Sequence, residues 1–211
     1  MSTRIEFHIL QSFAPANLNR DDTGSPKDAL FGGARRGRIS SQALKRAARI
    51  HMKDGGLIPP NAESHRTKRV TQLLAGSLVR LGVESALADA VSAIAIESIG
   101  SQKKMKLKDG KTEYLMFLGS AEIEQIAEVL ADFSKTVNDP KKAKLDPEVS
   151  RKITLILSEK AKGAIDVALF GRMLANLPEA NTDASCQVAH AISTHRVDRD
   201  FDYYTAVDDL K

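Results

Sequence analysis

The sequence of 211 residues has one cysteine, no tryptophan and no long apolar run, and each shortage excludes a class of protein. Because Cys186 stands alone, an intramolecular disulfide and a cysteine zinc cluster are both excluded. No apolar run approaches the roughly 18 residues that a membrane span needs, and residues 1–6 lack the apolar region of a signal peptide. With 42% hydrophobic and 27% charged residues, the composition is that of an ordinary globular protein. We therefore expect a soluble, cytoplasmic protein that has no membrane partner.

Positive charge is concentrated in the first quarter of the chain. The whole sequence carries a formal net charge of +4. Residues 1–50 hold nine Lys and Arg against four Asp and Glu, whereas the remaining 161 residues are almost neutral. Between Lys27 and Arg49, seven basic residues are accompanied by Asp28 alone. Such a cluster favours a polyanionic partner, and a solvated basic face is the alternative.

The densest polar motif is FGGARRGRISSQALKRAAR, residues 31–49. Its paired glycines, Gly32 and Gly33, permit a close approach of the backbone to a ligand because no Cβ intervenes. Ser40 or Ser41 is a suitable N-cap for a helix that reaches about Lys53, and the free N–H groups at such a helix start attract anions. The glycine spacing differs from that of a nucleoside-triphosphate P-loop.

The helix predicted after these serines carries a polar stripe. Gln42, Lys45 and Arg49 lie at i, i+3 and i+7, which places them on one side of a helix. At 1.5 Å per residue this row is about 10 Å long, and it matches successive phosphates of a nucleic-acid backbone. Aromatic residues make up only 5% of the chain, so the motif that stacks bases in ordinary RNA-recognition motifs is absent. The sequence therefore predicts binding to phosphates and shape, with little reading of bases.

Three further groups of side chains give weaker indications. The five histidines show no metal-ligand spacing, and the aspartates after residue 197 lack the glycine and glutamate of a calcium loop, so we predict no metal site and no cofactor. Five lysines within residues 103–111 either touch nucleic acid or belong to a solvated hairpin. Met173, taken alone, is a core or loop methionine.

Periodicity and turn signals predict an α+β fold. Alternation over Arg4–Leu10 predicts a half-buried strand, and the glycines and prolines of Gln11–Ile39 predict a long loop. Asp109-Gly110 predicts a hairpin that joins residues 104–108 to residues 111–118. Further helices are predicted over Arg66–Leu81, Glu84–Ile99, Ala121–Val137 and Pro147–Lys162, and further strands over Ile165–Phe170 and Cys186–Thr194. This order predicts a palm with a helical insertion at about residues 56–163.

Four blocks of the sequence resemble one known family. They are LNRDD (Leu18–Asp22), PKDALFGGARRGRISSQALKRA (Pro26–Ala47), DVALFGRM (Asp166–Met173) and VAHAISTHRVDRDFDYYTAVDDL (Val188–Leu210). In this order they are similar to the CasC backbone subunits of type I-E CRISPR Cascade complexes. The resemblance covers the whole chain, although residues 56–163 are less diagnostic.

The resemblance implies a protein that binds rather than catalyses. In that family several copies line one CRISPR RNA, hold its spacer and displace bases periodically, so that the guide is pre-ordered for pairing with target DNA. The implied partners are CRISPR RNA, further copies of the chain, other Cascade subunits, and target DNA through the guide.

The resemblance also implies an RRM-like (ferredoxin-like) palm with inserted helical fingers and a thumb. Residues 1–55 would form the first part of the palm with the RNA-binding loop and helix, and residues 56–163 the fingers. Residues 164–194 would form palm strands and residues 195–211 the ascending thumb segment. Because chains of this family are longer, we expect palm and thumb to be incomplete here.

Site residues follow from the same resemblance. It implies RNA-backbone contacts at Lys27, Ser40, Gln42, Lys45 and Arg49, and places Asn19, Arg20 and Arg38 beside them. Met173 would be an apolar wedge next to the displaced base. The polar stripe agrees with this set at Gln42, Lys45 and Arg49.

Two other functions stay open at this point. Type III CRISPR backbone subunits cut bound target RNA with a loop aspartate, and Asp21, Asp22 and Asp28 lie in the corresponding kind of loop. The chain could also be a general module for single-stranded RNA outside CRISPR systems, if the block matches are chance.

Overall fold

The structure is a computed structural model that describes residues 3–99, 105–140, 142–159, 164–174 and 176–198. The chain divides into two compact units. We call Met1–Ala47 together with Val188–Lys211 the sheet unit, and Ala48–Gln187 the helical unit. Over the described residues, no helix combines the length and apolarity that crossing a bilayer requires. The predicted division at residues 55, 163 and 194 stays a prediction, and residues 199–211 of the predicted thumb segment lie outside the described residues.

The sheet unit contains a three-stranded antiparallel sheet. Strands β1 (Asp28–Phe31) and β2 (Ala34–Ile39) form a hairpin, and the short β7 (Ala191–Ile192) pairs with the other edge of β2. Gly32 and Gly33 form the two-residue turn, with φ values of +59° and +74°. Two successive positive φ values suit the twist of a hairpin, and glycine adopts them without a steric cost. Helix α1 (Ser41–Asp54) begins in this unit.

Two predictions for the sheet unit are wrong. Gln11–Ile39 is not one long loop, because its second half forms β1 and β2 around the glycine pair. The predicted strand Arg4–Leu10 does not form either. Ile5, Phe7 and Ile9 are 74%, 83% and 80% exposed, and no described strand lies beside them. An alternating sequence pairs as a strand only where a neighbouring strand supplies main-chain partners.

The helical unit is built from helices and short strands. Its elements are β3 (Ser64–Thr67), α2 (Val70–Arg80), α3 (Ser85–Ser98), β4 (Leu107–Lys108), β5 (Lys111–Thr112), β6 (Met116–Gly119), α4 (Ser120–Ser134), α5 (Pro147–Ser158) and α6 (Ile165–Phe170). Strands β3 and β6 pair antiparallel, and β4 and β5 form the predicted Asp-Gly hairpin. The last turns of α1 also belong to this unit.

One apolar core stabilises the helical unit. Helices α2, α3, α4 and α5 and strand β6 contribute fully buried side chains, among them Leu74, Leu78, Val91, Ile96, Met116, Leu118, Ile126, Leu130, Ile153 and Leu157. The capping residues agree with the sequence: the Asp146 carboxylate accepts the N–H of Glu148 at 2.7 Å, and Pro147 opens α5. The predicted helices α3, α4 and α5 are therefore confirmed to within a few residues of their ends.

The other predicted elements of this region need correction. Arg66–Leu81 is not one helix, because β3 continues to Thr67 and the helix begins at Val70. Ile165–Phe170 is a helix rather than a strand, and Gly171 ends it at a φ of +79°. Asp166 and Val167 are both buried, so the burial does not alternate as a strand requires. The predicted strand Cys186–Thr194 shrinks to Ala191–Ile192, and that over residues 111–118 divides into β5 and β6.

A buried ion pair lies within the helical core. The Nη1 atom of Arg172 donates to both carboxylate oxygens of Glu122, at 2.8 and 2.7 Å. The remaining guanidinium nitrogens donate to the carbonyl oxygens of Ala180 and Leu157 at 3.1 and 2.8 Å. Glu122 in turn accepts the N–H of Gly119 at the start of α4, at 2.8 Å. Arg172 therefore links α4, α5 and the segment that follows α6.

Candidate nucleic-acid interface

Four of the predicted contact residues converge in the sheet unit from three segments of the chain. The N–H of Lys27 donates to the carbonyl oxygen of Asn19, and the N–H of Arg38 donates to that of Lys27, both at 2.9 Å. The side-chain Oδ1 of Asn19 accepts the N–H of Ser40 at 2.9 Å. Asn19, Lys27, Arg38 and Ser40 thus form one hydrogen-bonded group, which we call the convergent cluster. It lies where β2 leads into α1.

A tight turn presents the first half of this cluster. Arg20 and Pro26 form an isolated backbone bridge that closes the loop between them. Inside the loop, Oδ1 of Asp21 accepts the N–H groups of Thr23 and Ser25 at 2.9 and 3.0 Å. An aspartate that holds its own turn in this way is common in loops. Arg20 is exposed next to Asn19 on this turn.

The start of α1 is largely satisfied by groups of the same chain. Ser40 is buried, and its Oγ accepts the N–H of Ala43 at 3.3 Å, as an N-cap does. The N–H of Ser41 donates to Nδ1 of His190 at 3.2 Å. Within this first turn, the N–H of Gln42 is the one for which the described residues provide no acceptor. The predicted capping by Ser40 is confirmed, whereas the anion-binding capacity of this helix end is smaller than the sequence indicates.

The predicted polar stripe divides between the units. Gln42 is exposed and Lys45 is half-buried on α1 in the sheet unit. Arg49 belongs to the helical unit, where its Nε donates to Oδ2 of Asp166 at 3.0 Å. Its guanidinium also lies 4.7 and 4.9 Å from the ring centroids of Phe117 and Phe170. With its side chain only 22% exposed, Arg49 already has three partners, and its contact with RNA stays a prediction.

The arginines of β2 have different surroundings. Arg35 pairs with Asp28 at 2.8 Å. Arg36 donates to the carbonyl oxygens of Phe31, Ser193 and Thr194. Arg38 differs, because its Nε is buried and no described residue accepts its hydrogen. An unpaired buried donor costs about 1–3 kcal/mol, so an acceptor from a ligand would be favourable there.

Met173 lies in the helical unit directly after the buried Arg172. Its side chain is 81% exposed, although the residues on either side, Arg172 and Leu174, are both buried. The fixed neighbours hold an apolar side chain out into solvent. This arrangement suits a wedge, and the role itself stays a prediction.

The loop aspartates are engaged in structural contacts. Asp21 caps its own turn, and Asp28 pairs with Arg35. Asp22 is exposed. Across the described stretches, no three His, Cys, Asp or Glu side chains lie close enough together to share a metal ion.

The chain is similar to known CRISPR proteins. Residues 5–211 match the family model described as CT1975-like protein. No curated protein sequence matches the chain. Solved structures that share its fold include a chain of a "CRISPR RNA-guided surveillance complex", at 32% identity and a TM-score of 0.69. Another is a chain of a "CRISPR RNA-guided surveillance complex, pre-nicking", at 34% identity and a TM-score of 0.73. The matches cover 87% and 92% of this chain but only 56% and 53% of the solved chains, so it spans little more than half their length.

Proposed function

This chain belongs to the CT1975-like protein family, and on that premise we propose that it is a CasC-type backbone subunit of a type I-E Cascade complex. In this role several copies line one CRISPR RNA, contact its phosphates and displace bases periodically, so that the guide is ordered before it meets target DNA. The partners are CRISPR RNA, further copies of the chain and the other subunits. The likeness to chains of CRISPR RNA-guided surveillance complexes supports the proposal.

The observation that carries RNA binding is the convergent cluster. Its four residues come from three segments of the chain, and main-chain and side-chain hydrogen bonds fix their spacing. Lys27 and Arg38 bring two positive charges to one place, and Nε of Arg38 is a buried donor without an acceptor among the described residues. A rotation of the Arg38 side chain towards a phosphate oxygen would satisfy that donor and form a charge-assisted hydrogen bond.

The first turns of α1 extend this surface. Gln42 follows the cap Ser40 by two residues, and Lys45 follows Gln42 by three, so the two side chains lie on the same side of the helix. The exposed amide of Gln42 and the ammonium of Lys45 are suitable partners for a second phosphate. A backbone that runs along α1 would therefore meet the cluster and these two side chains in succession.

A binding role agrees with the surroundings of the loop aspartates. Asp21 accepts the N–H groups of its own turn and Asp28 pairs with Arg35, so both carboxylates have structural partners, whereas Asp22 is exposed. We therefore propose that the protein acts on nucleic acid without catalysing a reaction. In the same scheme Met173 is the apolar wedge, since its exposed thioether side chain is held by buried neighbours.

Fluorescence anisotropy with a spacer-length single-stranded RNA tests this function. We expect Arg38→Ala and Lys45→Ala each to weaken binding of RNA irrespective of its sequence. Each lost contact should lower the slope of log K against log salt by about 0.7. Arg46→Ala is the matched control, because Arg46 is an exposed cation next to Lys45 that points about 100° away around the helix.

The control decides between specific contacts and bulk charge. Equal losses of RNA affinity in Lys45→Ala and Arg46→Ala would mean that net charge, and not a specific contact, affects binding. Unchanged affinity and slope in Arg38→Ala and Lys45→Ala would overturn the assignment of the cluster.

A further inference from the structure

The β4–β5 hairpin of the helical unit carries lysines on one face only. Lys108 and Lys111 are direct register partners across the Asp109-Gly110 turn, and Leu107 pairs with Thr112. The N–H of Glu113 donates to the carbonyl oxygen of Lys106 at 3.2 Å, which continues the ladder by one pair. Because side chains alternate along a strand, Lys106, Lys108 and Lys111 share a face with Glu113. We call this the lysine face.

The opposite face fixes the hairpin to the body of the unit. Thr112 is buried, and its N–H donates to the carbonyl oxygen of Lys68 at 2.9 Å. The hydroxyl of Thr71 in α2 donates to the carbonyl oxygen of Gly110, at the turn itself. Leu107 packs against the core. The lysine face is therefore held in place rather than carried on a free loop.

The same contacts bring two more cations to the hairpin. Lys68 precedes α2, and its Nζ donates to the carbonyl oxygen of Glu113 at 3.0 Å. The exposed Arg69 is the next residue, and the first turn of α2 contains no acidic side chain. The positive end of the α2 dipole thus adds to the same potential. The hairpin and the Lys68–Arg69 segment together carry five cations, and their only acidic residues are Asp109 and Glu113.

The cations of this surface differ in their partners from four other exposed cations of the unit. Lys53, Arg80, Lys135 and Lys152 each lie beside a carboxylate. Within the described part of the chain, Lys68, Arg69, Lys106, Lys108 and Lys111 form no ion pair. Like charges directly across a hairpin, as in Lys108 and Lys111, destabilise it. The protein itself therefore neutralises only part of this positive potential, through Asp109 and Glu113.

We propose that the lysine face, with Lys68 and Arg69, is a second nucleic-acid surface that binds a phosphodiester backbone. The positions of this face hold no aromatic side chain, so bases are not stacked and binding does not depend on sequence. The proposal does not rest on the RNA contacts of the sheet unit, because every residue that it uses lies within the helical unit.

Affinity and salt dependence test the proposal on the full 211-residue chain. The probes are a 20-base-pair DNA duplex and a 20-nucleotide single-stranded RNA, both of random sequence. Lys108→Gln combined with Lys111→Gln removes two charges from the lysine face. We expect affinity to fall at least tenfold near 0.1 M salt, and the slope of log K against log salt to fall by about 1.8 for duplex or about 1.4 for single strand.

The matched control removes two charges elsewhere in the same unit. Lys135→Gln combined with Lys152→Gln changes two exposed lysines that already lie beside Asp132 and Glu148. We expect this double variant to bind almost as the unchanged chain does. The difference between the two double variants therefore isolates the lysine face from net charge.

Acetylation of lysines, read by mass spectrometry, provides an independent measurement. Bound nucleic acid should slow the acetylation of Lys108 and Lys111 and leave Lys135 unaffected. The protection should persist in the double variant that combines Arg38→Ala with Lys45→Ala. A loss of RNA binding through the sheet unit in that variant would be a separate result. Protection by duplex alone or by single strand alone supports the proposal and identifies the source of the backbone. Equal affinity losses in both double variants, or no protection by either probe, would overturn it.

Discussion

The two units differ in what holds them together. Among the described residues, every buried apolar side chain lies in the helical unit, and the one buried residue of the sheet unit is Ser40. The sheet unit instead exposes large apolar side chains, namely Ile5, Phe7, Ile9, Leu10, Phe13, Leu18, Leu30 and Phe31. The helical unit gains stability from burial at roughly 25 cal/mol per Å² of apolar surface. The sheet unit has little of that contribution.

Polar contacts take the place of a core in the sheet unit. Arg36 donates to three carbonyl oxygens, and Ser193 exchanges hydrogen bonds with Gly37. Single hydrogen bonds of this kind contribute only about 0.5–1.5 kcal/mol each. The comparison teaches that the sheet unit, which is proposed to bind RNA, is specified by hydrogen bonds and turns, whereas the helical unit is specified by packing. Substitutions in the two units should therefore have effects of different size and sign.

The largest effect is expected at the buried ion pair of the helical unit. Arg172→Met leaves the carboxylate of Glu122 buried without its cation, and we expect the free energy of unfolding to fall by about 3–5 kcal/mol. The side chain of Arg172 is fully buried and that of Glu122 nearly so. Urea denaturation followed by circular dichroism at 222 nm measures this loss, because most of the helix lies in this unit.

An exposed ion pair of the same unit is the control. Arg80 and Glu124 are paired with both side chains more than half exposed. We expect Arg80→Met to cost less than about 1 kcal/mol. Similar losses in Arg80→Met and Arg172→Met would mean that burial does not set the energy of the Arg172 pair.

Replacing one glycine in each unit by alanine should change the free energy of unfolding in opposite directions. Gly33 in the β1–β2 turn has a φ of +74°, where a Cβ is strained, so Gly33→Ala should cost about 1–2 kcal/mol. Gly76 lies within α2, and a Cβ built on it meets no atom within 4 Å. Gly76→Ala should therefore stabilise its helix by about 0.5–1 kcal/mol.

Hydrogen exchange separates these two effects by unit. We expect faster exchange at the N–H of Arg38 in Gly33→Ala and slower exchange along α2 in Gly76→Ala. A stabilising Gly33→Ala would contradict the left-handed turn on which the convergent cluster depends.

The sequence predicted the helical unit better than the sheet unit, for a physical reason. Apolar side chains repeat at helical spacing in α3, α4 and α5, and local caps such as Asp146 mark where helices begin. Those signals are local, and the helices that they predict also bury their apolar side chains in the core. The alternation of Arg4–Leu10 is also local, but a strand needs a partner that its own residues do not specify. The apolar run of α6 is six residues long, and a run of that length is compatible with either a helix or a strand.

The candidate site was predicted in part. The cap at Ser40 could be identified because its signal lies within a few residues. The hydrogen bond from Ser41 to His190 and the pairing of Arg49 with Asp166 could not, since they join residues more than 100 positions apart. The glycine pair between two short runs is a hairpin signal, and the interpretation of Gln11–Ile39 as one long loop missed it. Long-range polar partners are the information that local patterns lack.

The smallest effect on stability is expected at an exposed carboxylate. The titration of this carboxylate also tests the contrast between paired and unpaired lysines. A hydrogen bond from Lys135, then its charge, holds the pKa of Asp132 below its ordinary value, and the charge of Lys152 acts in the same direction. The folded state is therefore favoured by this carboxylate above about pH 4, and the contribution is lost as the pH falls through the lowered pKa. We expect Lys135→Gln to return the pKa of Asp132 towards its ordinary value in an NMR titration. Lys111→Gln, on the lysine face, should leave that titration unchanged. An unaltered pKa in Lys135→Gln would mean that Lys135 is as free as the lysines of the hairpin, and the difference between the two sets of lysines would disappear.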